Sequence, residues 1–383
     1  MRTLLFTGPG GAGTSTLAAA TAVRAARSGR RTLLLTRQPP AVTGLGEVPG
    51  LDVVPAQAQG TVEALWSAHA GALADVVPGL TVPPATSVVP LPGTADLALL
   101  AEVTRAEADL VVVDAGPLEA ATALVGLPAT LRWWLDQALP TRLRMLGAVR
   151  TAAVRSGTVR RGPVDAVLAL VPLLEGLLRR QRLTDPRATE IRLVAVPRPG
   201  AVAALRTAVT ALGLHGQRPA AVLARVLPEG GAGEWWARRG AEQRAGLAQL
   251  ADLARLHPVP EAPEAPADAE AAAALLPSVD GGGAAPELPE PATERIPGGW
   301  RLALPLPFAV RGEVEVTRWD DDLVVTVAGA RRSLRLDSLL RRCVVTAGAL
   351  ADPGTARARL EVTFAPDPQQ WPADLLAAEG TGP

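Results

Sequence analysis

The first 23 residues read MRTLLFTGPGGAGTSTLAAATAV. A short apolar run enters a glycine-rich turn, and the turn enters an alanine-rich stretch. Strand, glycine loop and helix in that order are how a phosphate-binding loop opens an α/β domain. The glycines let the backbone bend so that several N–H groups face one anion. A helix beginning near Thr14 adds the positive end of its dipole. Gly8, Gly10, Gly11, Ala12, Gly13, Thr14, Ser15 and Thr16 are therefore the candidate phosphate ligands. Ser15 stands where a hydroxyl would meet Mg²⁺. The same glycines also fit a tight strand-to-helix connection that holds nothing, and helix capping is the other reading of Ser15.

The loop departs from G-x-x-x-x-G-K-[ST] at one place: Thr14 stands where the lysine belongs. No other lysine can replace it, because all 38 basic residues are arginine. Asn and Tyr are absent as well, in a chain rich in Ala, Gly, Pro and Arg. The missing lysine would have neutralised the β- and γ-phosphates and the charge that develops during transfer. Loss of one aligned donor costs roughly 10²–10³ in rate, so hydrolysis here is slow at best.

The 383 residues predict two domains. "TLLFTG", "RTLLLT", "LDVVPA" and "DLVVVDAG" read as buried strands separated by helices such as "STLAAATAVRAARSG". "IRLVAVP" and "AAVLARVLP" add two more. The alternation predicts a mostly parallel sheet covered on both faces by helices, with a helical insert over about 131–185. This first domain is assigned to residues 1–257. Residues 258–298 are rich in Pro, Ala, Gly and acids and read as a linker, partly disordered, with a short helix near "AEAAAALL". Residues 299–367 alternate in "EVEVTRW", "DLVVTVAG", "RRSLRL" and "ARARLEVTF", which predicts a small antiparallel β-sandwich. Residues 368–383 form a tail.

Composition narrows the function. Net charge is +0, so nothing favours nucleic acid or an anionic membrane. The lone Cys343 forms no internal disulfide and supplies no zinc or arsenite thiolate cluster. The three histidines, His69, His215 and His257, are far apart and read as surface or packing residues. No leader and no run of about twenty apolar residues is seen, so the expectation is a soluble, cytoplasmic protein that does not span a membrane.

The stretch "DLVVVDAGPLEAATALVGLPATLRWWLDQALP" (109–140) strongly resembles the ArsA-type ATPases, which include anion-transporting and tail-anchored-protein-targeting ATPases. Asp114 matches the acid at the end of their strand, and Pro117, Leu124, Leu127, Pro128, Leu131, Arg132, Trp133 and Leu135 fall in register. "VLARVLPEGG" resembles the family's V-x-NRVLP segment. Residues 300–365 resemble the small heat-shock-protein-like domain appended to many bacterial members. The resemblance implies a P-loop ATPase fold with ATP and Mg²⁺ as ligands, Ser15 and Asp114 on the metal side, and a dimer. Zinc, haem and flavin are not implied.

Departures from the family pattern gather at the chemistry. In the loop GKGGVGKTT, Pro9 replaces the lysine that crosses the dimer and Thr14 replaces the second. Gln38 aligns with the Asp that positions the attacking water. The switch A-P-T-G becomes Gly116-Pro117-Leu118-Glu119, and the Asn expected to read the adenine edge is Ala224. Arg37 is the nearby cation that the sequence offers as a substitute.

Three functions follow from this. The first is a degenerate ArsA-type protein with weak or absent ATP and Mg²⁺ binding, acting as a regulatory or scaffold subunit, as a homodimer or paired with an active paralogue. The second is a working, slow ATPase. The third is a nucleotide-independent module for hydrophobic clients. Trp133–Trp134 and Trp235–Trp236 read as core or interface packing, since helix neighbours point about 100° apart. The basic amphipathic stretch 141–161 reads as a solvated helix face.

Overall fold

The computed structural model describes residues 1–74, 82–138, 163–276 and 288–371, together with Val149, Arg150, Val154 and Ser156. The chain opens with β1 (Arg2–Gly8) and α1 (Thr14–Arg27), then β2 (Thr32–Thr36), β3 (Leu51–Pro55), α2 (Ala58–Ala74) and α3 (Thr94–Arg105). It continues through β4 (Leu110–Pro117), α4 (Leu118–Ala138), α5 (Pro163–Arg180), β5 (Thr189–Ala195) and α6 (Pro199–Leu214). β6 (Pro219–Val226), α7 (Glu234–Ala251), β7 (Arg255–Pro260) and α8 (Ala269–Ala274) complete the first body.

Its seven strands form one parallel sheet in the order β3-β2-β4-β1-β5-β6-β7. Strands buried on both faces must be apolar at successive positions, and β1 shows it. Leu5 joins Val111, Val113, Ile191 and Leu193 under α3, α4 and α6, whereas Leu4 and Phe6 join Val112 and Leu34 under α1. The order reverses around β1, so the loop leaving β1 stands at the crevice where open α/β sheets take ligands.

The linker expected over 258–298 is corrected at its start. β7 pairs in register with β6 from Ala221↔Arg255 to Val226↔Pro260, so the boundary at 257 falls inside a strand. β7 is an edge strand, where proline needs no second ladder partner. Its prolines hid it from a reading by composition. The short helix near 269–276 forms as α8 and buries Ala269, Ala272, Ala273 and Leu276 in the core beneath α1. Asp268 caps it by accepting from the Ala271 N–H at 2.8 Å. Residues 277–287 lie outside the described residues, as do most of 141–161 and the tail from 372.

The second body is a sandwich of two antiparallel sheets. β8 (Ala292–Ile296), β9 (Gly299–Pro305), β13 (Cys343–Ala351) and β14 (Arg359–Pro366) form the order β13-β14-β9-β8. β10 (Glu315–Trp319), β11 (Asp322–Val327) and β12 (Ala330–Arg335) form the other sheet. Leu302, Leu304, Leu323, Val325, Val362 and Phe364 fill the space between them. The sandwich docks on α6. Leu214 lies in its core, Arg332 Nη1 donates to the Leu214 carbonyl at 2.7 Å, and Thr210 Oγ1 donates to the Pro307 carbonyl at 2.7 Å.

Candidate functional site

The glycine loop takes the shape its residues require. Gly11 and Gly13 have φ of +77° and +93°, a region that favours glycine. Gly8 is needed for a different reason: a Cβ there would lie 2.2 Å from the Val194 carbonyl oxygen. The Ala12 N–H donates to the Pro9 carbonyl at 3.1 Å and closes the turn. Gly13 is the N-cap of α1 and no side chain caps the helix, so its first N–H groups are left for solvent or a ligand. Gly10 and Gly11 face open space, Ser15 is exposed, and Thr14 and Thr16 are half-buried.

The remaining predicted residues scatter around it. Asp114 is buried within β4, three residues before its end and opposite Phe6 of β1, and its Oδ1 accepts from the Gly116 N–H at 3.1 Å. Thr7 Oγ1 donates to the Gly116 carbonyl at 2.9 Å and fixes the same turn to β1. Gln38 is exposed on the turn after β2. Ala224 is fully buried in the apolar core, so this position offers no polar edge to a base.

Arg37 is not the substitute cation. Its guanidinium is ion-paired with Asp96 of α3 at 2.6 Å, and Nε donates to the Ala115 carbonyl at 2.6 Å. The arginine that touches the loop is Arg225, from the end of β6, whose Nη1 donates to the Gly11 carbonyl at 3.2 Å. Its Nη2 is ion-paired with Glu261, just after β7. The sequence placed Arg225 beside Ala224 in the segment resembling V-x-NRVLP. Nothing in chain order says that β6 lies two strands from β1.

A cleft of about 1250 Å³ opens beside the loop, over the ends of β5, β6 and β7. Gly10 and Gly11 form one wall and Arg198, at the start of α6, another. Trp235 and Arg239 of α7 stand across from them. Arg239 is buried, donating to the Pro197 carbonyl at 3.3 Å and ion-paired with Glu242 at 3.5 Å. Two of the tryptophans read as core or interface packing are not core residues. Trp134 and Trp235 are 59% and 61% exposed, each edge-on to its neighbour. The described residues hold no cluster of three metal-ligating side chains.

Residues 1–42, which carry the loop, match the family model described as Anion-transporting ATPase, and residues 297–364 match an HSP20-like domain found in ArsA. The chain belongs to the ArsA-type ATPase family. Two relatives span nearly its whole length. Uncharacterized protein SCO2128 of Streptomyces coelicolor is 37% identical over 97% of this chain and 99% of its own. Protein Rv2184c of Mycobacterium tuberculosis is 31% identical over 97% of each chain. No helix among the described residues of this ArsA-type chain is long and apolar enough to cross a membrane.

Proposed function

We propose that this ArsA-type protein does not hydrolyse ATP at a useful rate and serves as a regulatory or scaffold subunit, paired with an active paralogue. The observation that carries the reading is the absence of lysine from the entire chain, with Pro9 and Thr14 at the two loop positions. A phosphoryl-transfer site works by positioning and by charge placed where the transition state develops it. The backbone cradle supports phosphate binding; the side chains do not support transfer. Arg37 is committed to Asp96. Arg225 donates to the loop's Gly11 carbonyl and is ion-paired with Glu261. If Mg²⁺ binds, Ser15 and Asp114 are the residues to hold it, and the ion would neutralise phosphate charge. Asp114 also has the structural task of accepting from Gly116.

The persistence of Ser15, Asp114 and the cradle favours a second reading, a slow ATPase of the anion-transporting or protein-targeting kind. Calorimetric titration with ATP, with and without Mg²⁺, and co-purification with an ArsA-type paralogue separate the two. The proposal expects a paralogue complex whose stability is indifferent to added nucleotide. A complex that forms only with ATP and Mg²⁺ would contradict it.

A further inference from the structure

Side chains from β1, β4, α3 and the turn after β2 meet around Gly116, in the turn that leaves β4. β2 pairs with β4 as far as Thr36↔Asp114 and then departs, so the Ala115 carbonyl lies beyond the end of that ladder. Ala115 is fully buried, where an unpaired carbonyl is costly. Arg37, the first residue after β2, supplies the donor: its Nε donates to the Ala115 carbonyl at 2.6 Å. The same guanidinium reaches two further elements. Nη2 donates to the Ala120 carbonyl in the first turn of α4 at 3.3 Å and is ion-paired with Asp96 in the first turn of α3 at 2.6 Å.

Two more polar groups of the turn are taken as well. The Gly116 N–H donates to Asp114 Oδ1 at 3.1 Å, and its carbonyl accepts from Thr7 Oγ1 at 2.9 Å. Gly116 has φ of +76°, and a Cβ there would lie 3.1 Å from Arg37 Cδ, so the arginine stem lies across the turn itself. A guanidinium suits this task, because its donors point in fixed, divergent directions within one plane. The Arg37 and Asp96 side chains are 19% and 23% exposed, so solvent screens the pair little.

We propose that Arg37 is a latch: through it the turn after β2, the turn after β4 and the first turn of α3 open and close as one unit, held shut in the free chain. Without it each of the three would open by itself, since turns at strand ends belong to the low-stability part of a sheet. The latch deepens the scaffold reading and rests on it in one respect. α4 starts at Leu118, two residues past Gly116, and packs against β12 of the sandwich. With the turn held, α4 and the sandwich meet a partner in one arrangement, whatever the glycine loop holds.

The test is amide hydrogen exchange of the full chain, without nucleotide, read at three hydrogen-bonded amides. Gly116 reports its own turn. Ala56 reports the end of β2, donating to the Thr36 carbonyl at 2.7 Å, and Leu97 reports the start of α3, donating to the Gly93 carbonyl at 3.2 Å. Arg37→Met should speed exchange by roughly tenfold or more at all three. Asp96→Asn keeps the shape of the side chain and removes its charge, and should speed Gly116 and Ala56 by about threefold or more. The double variant should match Arg37→Met alone at Gly116, since Asp96 acts there only through Arg37; a merely structural loosening would multiply the two effects. Leu193 of β5 and Val222 of β6 should be unchanged in every variant. An unchanged Gly116 in Asp96→Asn, effects that multiply, or exchange that rises equally at Leu193 and Val222 overturns the latch. Asp96→Asn decides alone if Arg37→Met does not fold. Independent opening of the three turns leaves the non-hydrolysing reading standing, and phosphate release from ATP would sink that reading without touching the latch.

Discussion

At the scale of single residues, close approach explains more than conformational freedom. Gly8 lies against the Val194 carbonyl and Gly126 against the His215 ring, where a Cβ would come within 2.7 Å of Nε2. Gly8→Ala is expected to cost about 3 kcal/mol and shift the urea midpoint downward; an unchanged midpoint would refute the contact. His215 is buried beside Arg332, and burial first, then that positive charge, pushes its pKa from 6.5 down to about 4. The neutral ring is the folded form, so the unfolded chain binds the extra proton between these values. Stability is therefore full above about pH 6.5 and falls as pH drops toward 4, by roughly 3 kcal/mol for 2.5 units. Melting curves at pH 7 and pH 5 check this, and His215→Gln should flatten the difference. Sequence reading left His215 as a surface or packing residue; its neighbour Gly126 is 89 positions away and only the fold brings them together.

At the scale of elements, the strands with continuous apolar runs were legible and the edges were not. β1, β2, β4 and β5 announce themselves because both faces are buried. β7, with prolines at Pro258 and Pro260, looked like linker because only an edge strand tolerates them. The segment after it was legible in part: the short helix near 269–276 was expected, whereas its Pro and Ala content gave no sign that this helix completes the core under α1. Ala272→Asp should cost roughly 3 kcal/mol in chemical denaturation, since Ala272 is fully buried there. A neutral result would return the segment to the status of a linker. The candidate site was legible in the same uneven way. The loop and Asp114 follow from local pattern. Arg225, Glu261 and Trp235 come from three elements that only the strand order gathers.

At the scale of the whole molecule, the α/β body and the sandwich share structure. Leu214 belongs to α6 yet packs in the sandwich core, and two hydrogen bonds join backbone carbonyls of one body to side chains of the other. Calorimetry should therefore show one cooperative transition at neutral pH, and Leu214→Ala should lower it as a unit; two separated transitions would show that the bodies unfold independently. The whole molecule retains an ATPase scaffold around a loop without its lysines. Phosphate release by the purified chain with saturating ATP and Mg²⁺ is the measurement that decides its nature. The proposed reading predicts no release above buffer, and no further loss in Asp114→Ala. Steady release that Asp114→Ala abolishes would show instead a working ATPase that manages without either loop lysine.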